Sequence, residues 1–314
     1  MNRFRSASAN PVRRIVLKGL AGMVLAGSPA FAATPANDKR MATRTIPKTG
    51  ESLPVVGVGT WQTFDVGPQA PERAELRQVL ELLAQNGGSV IDSSPMYGQA
   101  ERVVGDLTSE TGARDNFFFA TKVWTSGREA GIRQMEQSFR LMRTERMDLM
   151  QVHNLLDVQT HLATMREWQA AGRIRYLGIT HYHAGAYREL ERLARTKQFD
   201  FAQFNLSMVE REAEDRLLQA CGESGVAVIV NRPFAGASLF GRVKGKPLPP
   251  WAAEFDCTSW AQFFLKWILG HPEVSCVIPG TRRVEHLKDN VLAGSGRVPD
   301  AAMRKRMLDY VQQL

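Results

Sequence analysis

Between residues 55 and 280, short apolar runs rich in β-branched residues alternate with longer segments whose apolar residues recur every three to four positions. The runs lie at 55–60, 89–94, 117–123, 147–153, 175–180, 199–205, 226–232 and 275–280. Helical periodicity fills 71–87, 127–143, 160–172 and 184–198, and Gly or Asn after several of these segments supplies a C-terminal stop. Strands separated by helices pair in parallel, which leaves a closed barrel or an open doubly wound sheet. Eight alternations over roughly 250 residues match a (β/α)8 TIM barrel. An open nucleotide-binding sheet carries a glycine fingerprint, and no GxGxxG occurs in this chain. The nearest phosphate-loop pattern, Gly236 to Gly241 followed by Arg242, has arginine where a P-loop needs lysine.

The barrel domain is predicted over 43–314. Ahead of the first run, the segment 43–54 reads as a β-hairpin with a turn at Lys48–Glu51, placed to close the barrel floor. The longest irregular stretch, Gly236 to Cys257, is expected as a loop over the opposite mouth. An extra C-terminal helix is predicted from about Asp300 to Gln313.

Residues 1–32 have a basic start, a short apolar stretch and an AxA arrangement at Ala30 and Ala32. That layout is a signal peptide cleaved near Ala32, with 33–42 as a disordered linker. Arg13 and Arg14 ahead of Ile15, Val16 and Leu17 resemble the twin-arginine export motif. The expected location is therefore the periplasm or another exported compartment, with the export machinery as a transient partner; an unused signal would leave the chain in the cytoplasm. Twin-arginine export carries folded proteins, which suits one that takes up a cofactor before leaving the cytoplasm. Gly19 to Ala33 is uncharged but contains Pro29 and falls short of the roughly 20 residues that span a bilayer, so no stable membrane insertion is expected.

The formal charge of +8 carries little information about partners. Five of the 40 basic residues (Arg3, Arg5, Arg13, Arg14 and Lys18) stand in the first 32 positions, where there is no acid, leaving 35 against 32. A nucleic-acid partner calls for a concentrated basic stripe, which is not visible. Cys221, Cys257 and Cys276 lack metal spacing and read as ordinary core or loop thiols.

Barrel enzymes place reacting groups at the C-terminal ends of their strands. There the second run ends with Asp92 and reaches Tyr97, the third ends near Lys122, and the fourth ends at His153. A phenol with an ordinary pKa near 10 is a weak acid at neutral pH, and a nearby ammonium favours its phenolate. Lys122 is the available ammonium, and Asp92 is its counter-charge. His153 is placed to donate to a carbonyl oxygen or relay the proton. Such a set holds and protonates an aldehyde or ketone oxygen but supplies no nucleophile.

The motifs VGVGTW with Trp61, IDSSPMYG with Asp92 and Tyr97, ATKVW with Lys122 and DLMQVH with His153 resemble the successive active-site motifs of the aldo-keto reductases. GIT at 178–180, Gln203 in FAQFN, PFAGASL at 233–239 and IPGTRRVEHLKDN at 278–290 extend the likeness. The resemblance implies a barrel that binds NADPH, or NADH, across its mouth and passes hydride to a small-molecule carbonyl. It makes Tyr97 the general acid, Lys122 its modulator, Asp92 the lysine's partner and His153 the substrate-orienting group. It assigns the nicotinamide amide to Thr180, His181 and Gln203, and the pyrophosphate to Pro233, Phe234, Gly236, Ser238 and Leu239. Thr281, Arg282, His286, Asp289 and Asn290 would grip the adenosine end, while Trp61, Trp124 and Asn154 would wall the substrate pocket. The chain departs from the family pattern at Thr180–His181, where serine and asparagine are common. It also has Asn231 in place of a stacking aromatic ring, Gly280 in place of a lysine, and histidine at 286.

Two other readings compete. His181 and His183, with His153 and Asp92, form a donor set that suits zinc in a barrel hydrolase. A nucleotide-binding barrel acting as a sensor or partner subunit needs the fold but no turnover.

Overall fold

A computed structural model describes residues 40–112 and 114–314, and the expected signal peptide and most of the linker lie outside them. Two short strands, β1 (Thr43–Thr45) and β2 (Ser52–Pro54), pair antiparallel as the predicted hairpin, with Thr43 opposite Pro54. The remaining strands are β3 (Val58–Gly59), β4 (Val90–Asp92), β5 (Phe118–Val123), β6 (Met147–His153), β7 (Ile174–His181), β8 (Phe201–Asn205), β9 (Ala227–Asn231) and β10 (Val274–Val277). They form one parallel sheet in sequence order. Parallel bridges Val56–Val277 and Gly59–Gly280 bring its two edges together into a (β/α)8 barrel.

Most of the expected strands are shorter than their apolar runs, the first and the last among them. The last ends at Val277, ahead of Pro279, which has no N–H to donate to a ladder. The first narrows to two residues, with the barrel closed on either side by single hydrogen bonds such as Gly57 N–H to Val277 O at 2.8 Å.

Strand alternation sorts every side chain into one of two cores. Val90, Phe118, Leu149, Tyr176, Phe201 and Ile229 point into the barrel, and Ile46 and Leu53 of the hairpin pack against them as its floor. Burying those two hairpin side chains contributes about 1.5–3 kcal/mol each. The Arg175 guanidinium ties the hairpin on, bonding Glu51 and, at 2.7 Å, Asp148. Their neighbours Ile91, Phe119, Met150, Leu177, Ala202 and Val228 point outward into the layer between strands and helices. Carried two or four residues further, the inward parity reaches Asp92, Lys122, Gln151, His153, Thr180, Gln203 and Asn231 at the C-terminal mouth.

Helices at Glu72–Gln85, Arg128–Leu141, Val158–Ala170 and Tyr187–Arg195 occupy the segments where periodicity placed them. The first stops at Asn86 and Gly87, whose φ of 80° lets Gly88 N–H return to Leu83 O at 2.9 Å. Gly236 to Cys257 is not irregular throughout, as its composition suggested. It contains a short helix at Ser238–Arg242 and a 3-10 helix at Pro250–Phe255, because Leu239, Ala252 and Phe255 bury their side chains against the barrel layer. The C-terminal helix spans Ala301–Gln312 and is capped by Asp300, whose carboxylate accepts Met303 N–H at 2.8 Å. All three cysteines are free and buried. Among the described residues, no helix is long and apolar enough to cross a membrane.

Candidate active site

The inward parity of four strand ends converges on a cavity of about 860 Å³ at the mouth. Beneath it, Lys122 is wholly buried and donates to Asp92 Oδ2 and to the Ser93 carbonyl, both at 2.7 Å. The second oxygen of Asp92 accepts Gln151 Nε2 at 3.1 Å. The lysine therefore carries a paired, hydrogen-bonded charge in a buried site. Asp92 and its bonds outweigh burial, so the Lys122 ammonium is held above its ordinary pKa and stays charged.

Tyr97 is carried by the loop after β4, with Lys122 Nζ 5.1 Å from its ring centroid. That loop is pinned by Asp65, whose carboxylate accepts Gln99 N–H at 2.8 Å and packs against Gly98. Gly98 has a φ of 59°, and a Cβ there would fall 2.3 Å from Asp65 Oδ1, so this position needs glycine on both counts. Burial pushes the Tyr97 phenol above its ordinary value, the Lys122 ammonium pulls it back, and Asp92 adds to the rise. This corrects the expectation of a phenol made acidic overall: burial is the larger effect, so the resting phenol keeps its proton. The ammonium still favours the phenolate at the moment it forms.

His153 stands edge-on to Tyr97, with ring centroids 6.0 Å apart. Burial, with Lys122 and His181 adding to it, pulls its pKa down to about 2, so the ring is neutral. Ser94 Oγ lies 3.1 Å from His153 Nδ1 and itself accepts Met96 N–H at 3.4 Å. Where the Ser94 hydroxyl donates to Nδ1, the ring proton is on Nε2. A neutral imidazole in this state orients a carbonyl by donating to it and does not act as a cationic acid.

Trp61 and Asn154 line the cavity. Trp124 does not line it but lies beside it, with its ring 6.5 Å from that of His153. Both tryptophans are exposed, at 47% and 40%, so they are rim residues and not core packing. Met96, Tyr182 and Phe240 are likewise exposed and line the cavity, giving the mouth an apolar rim.

Of the residues assigned to a cofactor, Thr180, Pro233, Phe234, Gly236, Thr281, His286, Asp289 and Asn290 line the same cavity. His181, Gln203, Ser238, Leu239 and Arg282 do not. Gln203 is fully buried behind Thr180, whose hydroxyl donates to its Oε1 at 3.0 Å. Leu239 is also fully buried, because the short helix carrying it turns its apolar side inward. Arg282 is exposed. Asp289 accepts Ser259 Oγ and Gln262 Nε2, both at 2.6 Å, which fixes the start of the helix Trp260–Leu269 at the far end of the cavity.

The zinc donors do not assemble. His181 Nδ1 accepts His183 N–H at 3.0 Å, His183 Nδ1 accepts Gly185 N–H at 3.1 Å, and Asp92 is taken by Lys122 and Gln151. Among the described residues, no group of three or more such side chains has metal-binding geometry.

Gln151, Ser94, Arg232 and Tyr182 went unrecognised in the sequence. Gln151 was legible, being two residues before His153 on the same strand face. The bond from Ser94 to His153 spans 59 positions and had no local signal. Among the described residues, seven of the ten non-glycine residues with positive φ (Gln62, Asn154, Leu155, Asp157, Arg232, Ala235 and Ala237) stand in the loops of this mouth. Backbone strain of this kind gathers at functional sites.

Residues 55–305 match the aldo/keto reductase family. The chain is 31% identical over 248 residues to methylglyoxal reductase YeaE of Escherichia coli, covering 76% of this chain and 84% of that relative. Among solved structures it is similar to an aldo-keto reductase from Klebsiella pneumoniae in complex with NADPH, with a TM-score of 0.71 and 26% identity over 86% of this chain and 96% of that one. A Klebsiella pneumoniae aldo/keto reductase in complex with NADP and acetate has a TM-score of 0.69 and 25% identity over 83% and 93% of the two chains. With the barrel, its mouth and the matching span taken together, this chain belongs to the aldo/keto reductase family.

Proposed function

We propose that the protein is an NADPH-dependent reductase of a small aldehyde or ketone, with Tyr97 as the proton donor. The observation that carries this reading is the buried Asp92–Lys122 pair beneath Tyr97, with the neutral imidazole of His153 beside the phenol. A bound reduced nicotinamide supplies the hydride. The residues present fit such a group, because Asn154 Oδ1 and Asn231 Oδ1 are buried without partners on residues that line the cavity, and a carboxamide offers donors to them. Thr281, Asp289 and Asn290 also line the cavity, where they would meet the adenosine half.

His153 Nε2–H and the Tyr97 hydroxyl hold the substrate oxygen between them and polarise its carbonyl. As negative charge gathers on that oxygen, the phenol gives up its proton, and Lys122 stabilises the phenolate left behind. Asp92 and Gln151 keep the ammonium in place, so no cation has to move. The apolar rim keeps water from the carbonyl carbon.

Tyr97→Phe separates this reading from a sensor or partner subunit. Nucleotide binding, followed by quenching of tryptophan fluorescence, is expected to survive, while reduction of a generic aldehyde falls at least 100-fold, the scale of general acid catalysis. Unchanged turnover would remove Tyr97 as the acid. Arg13, Arg14 and the AxA arrangement at Ala30 and Ala32 support the further proposal that the folded, cofactor-loaded enzyme is exported by the twin-arginine route and cleaved near Ala32.

A further inference from the structure

Glu101 is a buried acid that the proposed reaction does not use. It stands in the first turn of the helix Ala100–Glu110 and is only 1% exposed. Its hydrogen-bond partner is a neutral group, the wholly buried Thr121 hydroxyl, which donates to Glu101 Oε1 at 2.5 Å across 20 positions of sequence. Burial holds the Glu101 carboxyl above the ordinary carboxylate range, although the Thr121 and Ser138 hydroxyls and the Lys122 ammonium pull the other way. A carboxyl buried on such terms is costly to place, and it fixes the groups it bonds in one geometry.

The two ends of this bond belong to the two segments that carry the proton donor and its cation. Thr121 immediately precedes Lys122 on β5 and faces the helix layer, while Lys122 faces the barrel interior. Glu101 follows Tyr97 by four residues, with little slack between them. Tyr97 N–H donates to Ser94 O at 3.0 Å, Ala100 N–H to Tyr97 O at 3.1 Å and Val103 N–H to Gln99 O at 2.9 Å, so the Tyr97 turn runs straight into the helix. Asp92 and the Ser93 carbonyl fix the ammonium. The phenol, by contrast, sits on a loop and takes its position from the helix that follows. Asp65 pins that loop at Gln99, and the bond from Thr121 to Glu101 ties the same segment to the lysine's own strand.

We infer that Glu101 and Thr121 are positioning residues, whose buried hydrogen bond on the outer face of β5 holds the Tyr97 hydroxyl in register with Lys122 and with the substrate oxygen. Neither residue touches the reacting atoms. The inference rests on the reductase reading above and extends the machinery of the acid to the far side of the strand.

The test measures aldehyde turnover, NADPH binding and melting temperature on the whole protein, for the parent, Thr121→Val, Thr121→Ser and the double variant Glu101→Met with Thr121→Val, each alone and combined with Tyr97→Phe. The double variant removes both partners and strands no polar group, so it is expected to fold. In it and in Thr121→Val, kcat should fall about 10- to 100-fold, the scale of misplacing a catalytic group by about 1 Å, while KM and the Kd for NADPH change by less than about 2-fold. Thr121→Ser keeps the donor and should stay within about 3-fold of the parent. Combined with Tyr97→Phe, neither Thr121→Val nor the double variant should lose further turnover, because no phenol hydroxyl is left to position. Equal fold losses with and without Tyr97→Phe would mean a purely structural role and overturn the inference. Parent-level kcat in whichever of the two variants folds would overturn it as well, and so would failure of both to fold. If Tyr97→Phe alone leaves turnover unchanged, the reductase reading fails and the positioning role with it.

Discussion

Replacing Lys122 with methionine tests the electrostatic construction of the site most directly. The lysine is fully buried, and its ammonium provides one of the two hydrogen bonds to the Asp92 carboxylate, which is itself only 3% exposed. Without the ammonium, Asp92 keeps only the Gln151 amide while its charge remains buried. Breaking a buried pair in this way costs about 3–5 kcal/mol. At about 2–4 °C per kcal/mol for a domain of this size, the melting temperature should fall by about 6–20 °C. Adding Asp92→Asn removes the stranded charge, so the double variant should recover to within about 1–2 kcal/mol of the parent while reductase activity stays lost. Because Lys122 is held above its ordinary pKa, the stability it confers is complete below about pH 10.5 and is lost only as pH rises through the still higher folded-state value. The deficit of Lys122→Met should thus be flat from about pH 7 to 10. Urea unfolding followed by circular dichroism, with aldehyde turnover on the same samples, measures all of this. A single variant within 1 kcal/mol of the parent, or a double variant that regains turnover, would refute the reasoning.

Acid should destabilise the fold from about pH 6.5 downward. Burial pulls His153 to about 2 and, with Arg304 adding to it, His271 to about 3; the unfolded chain therefore binds protons that the folded one refuses, and each histidine costs about 1.4 kcal/mol per pH unit between 6.5 and its folded value. A urea-unfolding free energy that does not change between pH 6.5 and 4.5 would contradict this. For export, the N-terminus of protein recovered from the periplasmic fraction is expected at Ala33, and changing Arg13 and Arg14 to lysine should retain the chain in the cytoplasm; an intact Met1 terminus found only in the cytoplasm would exclude the route.

The β/α alternation, the hairpin and the final helix could be read directly from the chain, because strand and helix periods are local properties of the backbone. The rule that barrel enzymes carry reacting groups at strand C-terminal ends put Asp92, Lys122 and His153 at one mouth before any distance was known. Gln151, two residues before His153 on the same strand face, gained its role only once Asp92 was seen to need a second donor. The burial of Leu239 was not legible, because a motif position does not say which way a short helix turns its side chains.

Tertiary structure alone decided three further matters. Barrel closure brings Ser94 Oγ within hydrogen-bonding distance of His153 Nδ1. It sets the Thr121 hydroxyl against the Glu101 carboxyl. It also buries Tyr97 deeply enough that desolvation outweighs the neighbouring ammonium. Residue types and spacing name the groups that can react, but solvent exclusion and the distances between separate strands set their charges, and both exist only after the chain has closed on itself.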